Sequence, residues 1–137
     1  MSLVLDASLA LAWIFPEETT AEVQRVFDRI DDDGCIVPDI WRLEVANGLL
    51  IGVRRSRITA VFRAQAFKVL GLMPISIDSE TGTHVWAGTL HIADRFQLTA
   101  YDASYLELAH RRALPLATLD HGLRAAAAVL GVSTFGA

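Results

Sequence analysis

The chain holds 137 residues, 53% hydrophobic and 20% charged, with 9 Gly, 4 Pro and one Cys. This composition excludes disorder, collagen-like repeats and low-complexity tails, and a mass of 15.0 kDa suits one domain that hides roughly 68% of its unfolded surface and leaves about 7,000 Å² exposed. Taken alone, a formal net charge of −4 speaks against a protein that holds nucleic acid through a general positive field.

Strand and helix signals alternate along the whole length. Residues 2–5 (SLVL) read as a short apolar strand ending on Asp6, and residues 7–15 as a helix stopped by Pro16. From Glu18 to about Ile30, the residues Ala21, Val23, Val26, Phe27 and Ile30 fall mainly on one helix face, and Asp31 to Gly34 make an acidic turn before the strand Cys35-Ile36-Val37. Pro38 and Asp39 open a long helix through about Val53, with Asp39 as its N-cap; Thr59 caps another to about Leu72, and the two pack as a hairpin. Residues 75–77 (ISI) are the next strand, and residues 80–96 form a helix carrying Val85, Trp86, Leu90, Ala93 and Phe96. Asp102 precedes a helix over 103–112, and residues 116–118 form a strand that delivers Asp120. An Ala-rich helix then runs to about Leu130, and residues 132–135 are a last short strand. The alternation predicts an α/β fold of three layers, α/β/α, with a mainly parallel central sheet in a single domain over residues 1–137.

In an open parallel sheet the usable crevice lies beyond the carboxyl ends of the strands, so an acid placed just after a strand points to chemistry. Asp6 follows Leu3-Val4-Leu5, and Asp120 follows Leu116-Ala117-Thr118-Leu119. Helix N-capping competes as an explanation for both, and for Asp102 at the start of its helix. Glu44 differs, because it sits inside a helix among Trp41, Leu43, Val45, Ala46, Leu49 and Leu50. A carboxylate there needs a cation, a hydrogen-bond partner or an exposed helix edge.

Two unit charges 4 Å apart repel by about 4 kcal/mol at an effective dielectric of 20. Several such pairs in one pocket would rival the roughly 5–15 kcal/mol stability of a whole domain. The acids persist together only by separating, by taking up protons or by binding a divalent cation, and all-oxygen ligands select Mg²⁺ or Mn²⁺ over zinc. With Asp6, Glu44, Asp102 and Asp120 assigned to such a site, the remaining acids and the 12 basic residues balance, and net charge no longer argues against nucleic acid.

The segments Val4-Leu5-Asp6-Ala7-Ser8, Glu44-Val45-Ala46-Asn47, Tyr101-Asp102-Ala103-Ser104-Tyr105-Leu106-Glu107-Leu108-Ala109 and Leu116-Ala117-Thr118-Leu119-Asp120 together resemble the motifs of PIN-domain ribonucleases. The resemblance spans the chain, and its length, order and spacing are most similar to the VapC-type toxins of bacterial toxin–antitoxin pairs. It implies a PIN-like fold and an Mg²⁺- or Mn²⁺-dependent endoribonuclease that hydrolyses RNA phosphodiesters with a metal-activated water. It also implies a homodimer held inactive by a cognate VapB-type antitoxin. Asp6, Glu44, Asp102 and Asp120 match the family's acidic quartet of catalytic, metal-binding residues, with Ser8, Asn47 and Thr118 in supporting polar positions. Asn47, in a Glu-x-x-Asn pattern, would orient Glu44 or its metal water. A housekeeping RNA-processing PIN nuclease would carry the same acids, and a non-catalytic partner-binding domain would retain them as structure alone.

Other residues take plainer readings. His84 and His91 lie two turns apart on one helix face, too far along its axis to share an ion, and His110 and His121 are isolated. Trp13, Trp41 and Trp86 read as core aromatics. Arg54, Arg55 and Arg57 read as a solvated helix end. Cys35, being alone, forms no intramolecular disulfide and reads as a buried strand residue. Apolar residues 7–15 fall short of the ~20 residues that span a bilayer, and MSLVLDAS lacks the basic start of an export signal. No membrane association is expected, and the expected location is the cytoplasm.

Overall fold

The computed structural model describes residues 2–137. At its centre lie β1 (Leu3–Leu5), β2 (Cys35–Val37), β3 (Ile75–Ile77), β4 (Leu116–Ala117) and β5 (Thr134–Phe135), all parallel, in the order β3-β2-β1-β4-β5. β1 pairs with β2 through Leu3–Cys35 and Val4–Ile36, and with β4 through Val4–Leu116 and Leu5–Ala117. β1, β2 and β4 are buried throughout, as strands covered on both faces must be. The chain lays β2 and β3 outward on one side of β1 and then places β4 and β5 on the other. Strand order therefore reverses between β1 and β4, which is where such sheets open a crevice.

Among the described residues, eight α-helices flank the sheet: α1 (Ala7–Ile14), α2 (Ala21–Asp33), α3 (Trp41–Arg54), α4 (Ala60–Leu72), α5 (Thr81–His84), α6 (Leu90–Phe96), α7 (Ala100–Arg112) and α8 (His121–Val129). This is the three-layer α/β/α arrangement that the alternation predicts, and the folded chain exposes 7338 Å². α2 buries Val23, Val26, Phe27 and Ile30, the stripe read from the sequence, and Phe27 stacks on Trp13 with ring centroids 4.2 Å apart. α7 is the most enclosed helix, buried continuously from Ala103 to Ala109. None of the described helices is long and apolar enough to cross a membrane.

Close approach of α1 and α3 sets the position of the crevice wall. A Cβ on Gly48 would meet the Leu11 methyls at 2.5 and 2.7 Å, and one on Gly52 would meet the Phe15 ring at 2.9 Å. Glu44, Gly48 and Gly52 are spaced four apart, so they form one stripe of α3. The two glycines let that stripe lie against the helix that begins directly after Asp6.

Several boundaries differ from the sequence reading. α2 continues through Asp31, Asp32 and Asp33 and ends on Gly34 at φ 74°, so the acidic turn is a last helical turn. Asp39 is not an N-cap: α3 starts at Trp41 with Ile40 in the capping position, and Asp39 pairs instead with Arg42 at 3.7 Å. The helix expected over 80–96 is interrupted by a π-helical turn, Val85–Thr89. Gly82, Gly88 and β-branched Thr83, Val85 and Thr89 weaken regular helix there, and Trp86 on that turn is 89% exposed rather than core. Trp41 and Cys35 are buried as expected. Arg57 is more than a solvated charge, since it pairs with Glu17 at 2.5 Å and Glu18 at 2.7 Å and lies over the Phe15 ring. α3 and α4 pack together, but α4 fully buries only Leu70.

Candidate active site

β1 delivers Asp6 at the carboxyl edge of the sheet, beside β4. Asp6 occupies the N-cap position of α1, yet its side chain makes no capping bond. Its Oδ2 instead accepts two hydroxyl protons, from Ser8 at 2.8 Å and from Thr118 at 2.7 Å. Thr118 also accepts the Asp120 amide at 3.0 Å, so one hydroxyl ties the end of β1 to the end of β4. Asp6 is only 4% exposed, and these bonds satisfy a carboxylate that capping does not use.

Asp120 does cap, its Oδ1 accepting the Leu123 amide of α8 at 2.8 Å. Asp102 does not. Thr99 caps α7, its Oγ1 accepting the Asp102 amide at 3.1 Å, so the helix starts at Ala100 and Asp102 lies in its first turn rather than before it. The pattern of a threonine followed three residues later by an acid is a start signal in the sequence itself. A half-buried Asp102 carboxylate is left at the positive end of the helix dipole.

Glu44 is half-buried rather than deep, and Leu43 beside it is 70% exposed. Its partner is the Tyr105 hydroxyl, which donates to Oε1 at 2.5 Å. That bond comes from α7, while Asn47, expected to orient Glu44 or its metal water, is exposed in a groove of about 440 Å³ with Ile40, Leu43, Glu44 and Tyr101 and makes no bond to Glu44. Tyr105 escaped the sequence reading. The available signal was its spacing, three residues after Asp102 and hence adjacent on the helix surface.

The four acids share one electrostatic field. Burial raises the Asp6 pKa above 3.8; the Thr118 and Ser8 bonds oppose it, and Asp102 raises it further. Glu44 is raised above 4.5 by burial, opposed by the Tyr105 bond and reinforced by Asp6 and Asp102. Asp102 is raised by burial and by Asp120, against Thr99. Among the described residues no ion pair reaches any of the four. Nor do three acidic, histidine or cysteine side chains converge tightly enough to cage one ion. The arrangement is an open, uncompensated acidic crevice. Its all-oxygen donors fit a hard cation such as Mg²⁺, which takes one or two carboxylates and keeps several waters. The histidines stand apart: His91, His110 and His121 are exposed, and His84 lies 3.6 Å from Glu107.

A parallel α/β/α domain with an acidic crevice at its strand-order reversal defines the class of this protein. The description of the PIN domain matches residues 3–129, and the chain belongs to the PIN domain family. Ribonuclease VapC3 of Pyrobaculum aerophilum is 28% identical over 123 residues, which span 90% of this chain and 92% of the relative. The crystal structure of PAE2754 from Pyrobaculum aerophilum shares the fold with a TM-score of 0.65 at 24% identity, covering 92% of this chain and 87% of that one. FitAcB from Neisseria gonorrhoeae does so with a TM-score of 0.56 at 17% identity, covering 98% and 96%.

Proposed function

We propose that the chain is a single PIN domain over residues 1–137 acting as an Mg²⁺- or Mn²⁺-dependent endoribonuclease, the toxin of a VapBC-type toxin–antitoxin pair. The observation that carries this reading is the group of mutually repelling, unpaired carboxylates at the reversal of strand order. Similarity to a relative named as a VapC ribonuclease supports RNA as the substrate and a VapB-type antitoxin as the partner.

Asp6 and Asp102 would hold the ion, with Glu44 and Asp120 completing the acidic wall. A divalent cation bound there would supply an acidified water and would offset charge on the leaving oxygen. Ser8 and Thr118 keep Asp6 oriented by their hydroxyl bonds to Oδ2. α4 leaves Val61, Phe67, Val69 and Leu72 exposed at 43–88%, an apolar surface that suits coverage by an antitoxin or by a second copy in a homodimer. Cytoplasmic location follows from an RNA target and from the same pairing.

The test is cleavage of single-stranded and folded RNA by the purified chain with Mg²⁺ or Mn²⁺. Expected are products with 5′-phosphate and 3′-hydroxyl ends, loss of cleavage with EDTA, and loss in Asp6→Asn and Asp102→Asn with circular dichroism unchanged. Cleavage that survives chelation and both substitutions, or no cleavage with either ion, refutes the reading. Unimpaired growth of cells producing soluble chain would remove the toxin assignment alone.

A further inference from the structure

Tyr105 is fully buried, its ring enclosed by the core, and yet its hydroxyl reaches out to Glu44 at the crevice. The two residues belong to different helices and stand 61 positions apart in the sequence. Glu44 is half-buried on α3, with three rotatable bonds ahead of its carboxylate. Tyr105 has two, and its ring cannot swing without disturbing close-packed neighbours. Tyr105 is therefore the fixed partner and Glu44 the one held in place.

Asp6 and Asp102 both act on Glu44 with like charge, which drives a flexible carboxylate outward to water. A hydrogen bond to an ionised acceptor is short and strong enough to oppose that drift. A phenol has one proton to give, and it goes to Oε1, so Oε2 is not engaged by Tyr105.

We infer that Tyr105 is a positioning residue of the crevice: its hydroxyl holds Glu44 inward through Oε1 and leaves Oε2 for a divalent cation or a water on it. The inference rests on the proposed metal-dependent function and gives Tyr105 the orienting role that the sequence pattern suggests for Asn47. Ser8 and Thr118 treat Asp6 in the same way, both on Oδ2, so the crevice fixes two acids by hydroxyls rather than by cations.

The test is Mn²⁺ binding by the full chain, measured by calorimetry for the parent, Tyr105→Phe, Glu44→Gln and the double variant. Tyr105→Phe keeps the ring and should weaken binding about tenfold, as loss of a partner to a metal-ligating side chain does, while the melting temperature stays near that of the parent. In Glu44→Gln the side chain is a neutral amide and no longer an anionic ligand for Tyr105 to position, so adding Tyr105→Phe there should change affinity less than about twofold. Parent-like binding by Tyr105→Phe, or the same loss in both backgrounds, overturns the assignment. A parent that binds no Mn²⁺ overturns the metal reading and the assignment together, whereas a parent that binds isolates the fault to Tyr105. The parent fold carries a second readout. With only two tyrosines in the chain, ¹³C-tyrosine spectra should show the Tyr105 ring signal shift on Mg²⁺ saturation, but not in Glu44→Gln. An unmoved Tyr105 signal in the parent contradicts the inference.

Discussion

α7 carries two acidic regions that the protein treats in opposite ways. In its first turn Asp102 acts electrostatically with Asp6, Glu44 and Asp120, and among the described residues no ion pair reaches any of them. Towards its other end, Glu107 and Asp78 are buried around Arg111, which contacts Glu107 at 2.7 Å and Asp78 at 2.6 Å, with Glu80 at 3.4 Å. Asp78 follows β3 directly, so it passes the same sequence test as Asp6. Burial alone would raise its pKa, but the Arg111 bond, the Thr81 hydroxyl and the Glu80 amide outweigh burial and lower it below 3.8. Both clusters contain buried carboxylates; only one has its counter-charge built in. The compensated cluster ties β3 to α7, whereas the uncompensated one has no counter-charge among the described residues and is where the proposed function would place a cation.

Arg111→Met should separate the two regions most sharply. It leaves two buried carboxylates without their cation and should cost about 3–5 kcal/mol of stability in urea unfolding. Asp102→Asn should do the reverse, lowering RNA cleavage by roughly a hundred- to thousandfold, about 3–4 kcal/mol of barrier, with folding stability unchanged or slightly raised. Equal stability losses in the two variants would erase the distinction.

Acid–base behaviour sharpens the contrast. Asp6, Glu44 and Asp102 have raised pKa values, so the folded chain binds protons more tightly there than the unfolded chain. Without divalent ions, their contribution to stability is present at low pH and is lost as pH rises from the ordinary carboxylate range through the raised values. Asp78 has the opposite sign, its contribution present above 3.8 and lost as pH falls through its lowered value. Asp6→Asn should flatten the first trend in thermal melts and leave the second. Mg²⁺ at about a hundred times its dissociation constant should add about 2.7 kcal/mol at pH 7, an effect that fades as the acids take up protons.

The smallest effect compares two caps. Thr20 accepts the Val23 amide at 3.2 Å and Thr99 the Asp102 amide at 3.1 Å, so alanine at either should cost about 1 kcal/mol in thermal unfolding. Only Thr99→Ala should also reduce cleavage, because Asp102 sits in the turn that Thr99 secures.

Local pattern determined much of this protein. Apolar runs of the right length specify the buried strands, four-residue spacing specifies the buried face of α2, and the ends of β1 and β4 place Asp6 and Asp120 at one edge of a parallel sheet. The resemblance of four short motifs brought Glu44 and Asp102 to the same crevice. Ser8 beside Asp6 and Arg111 one turn from Glu107 are local partners, but tertiary structure decided the distant ones. Arg111 lies 33 positions from Asp78, Tyr105 lies 61 from Glu44, and Thr118 lies 112 from Asp6. Propensity and periodicity act over one or two turns of chain, whereas the cost of a buried charge is settled by whatever stands within a few ångströms in space. Two acids that look alike after their strands therefore part company only once the sheet order and the helix packing bring distant partners to one and not to the other.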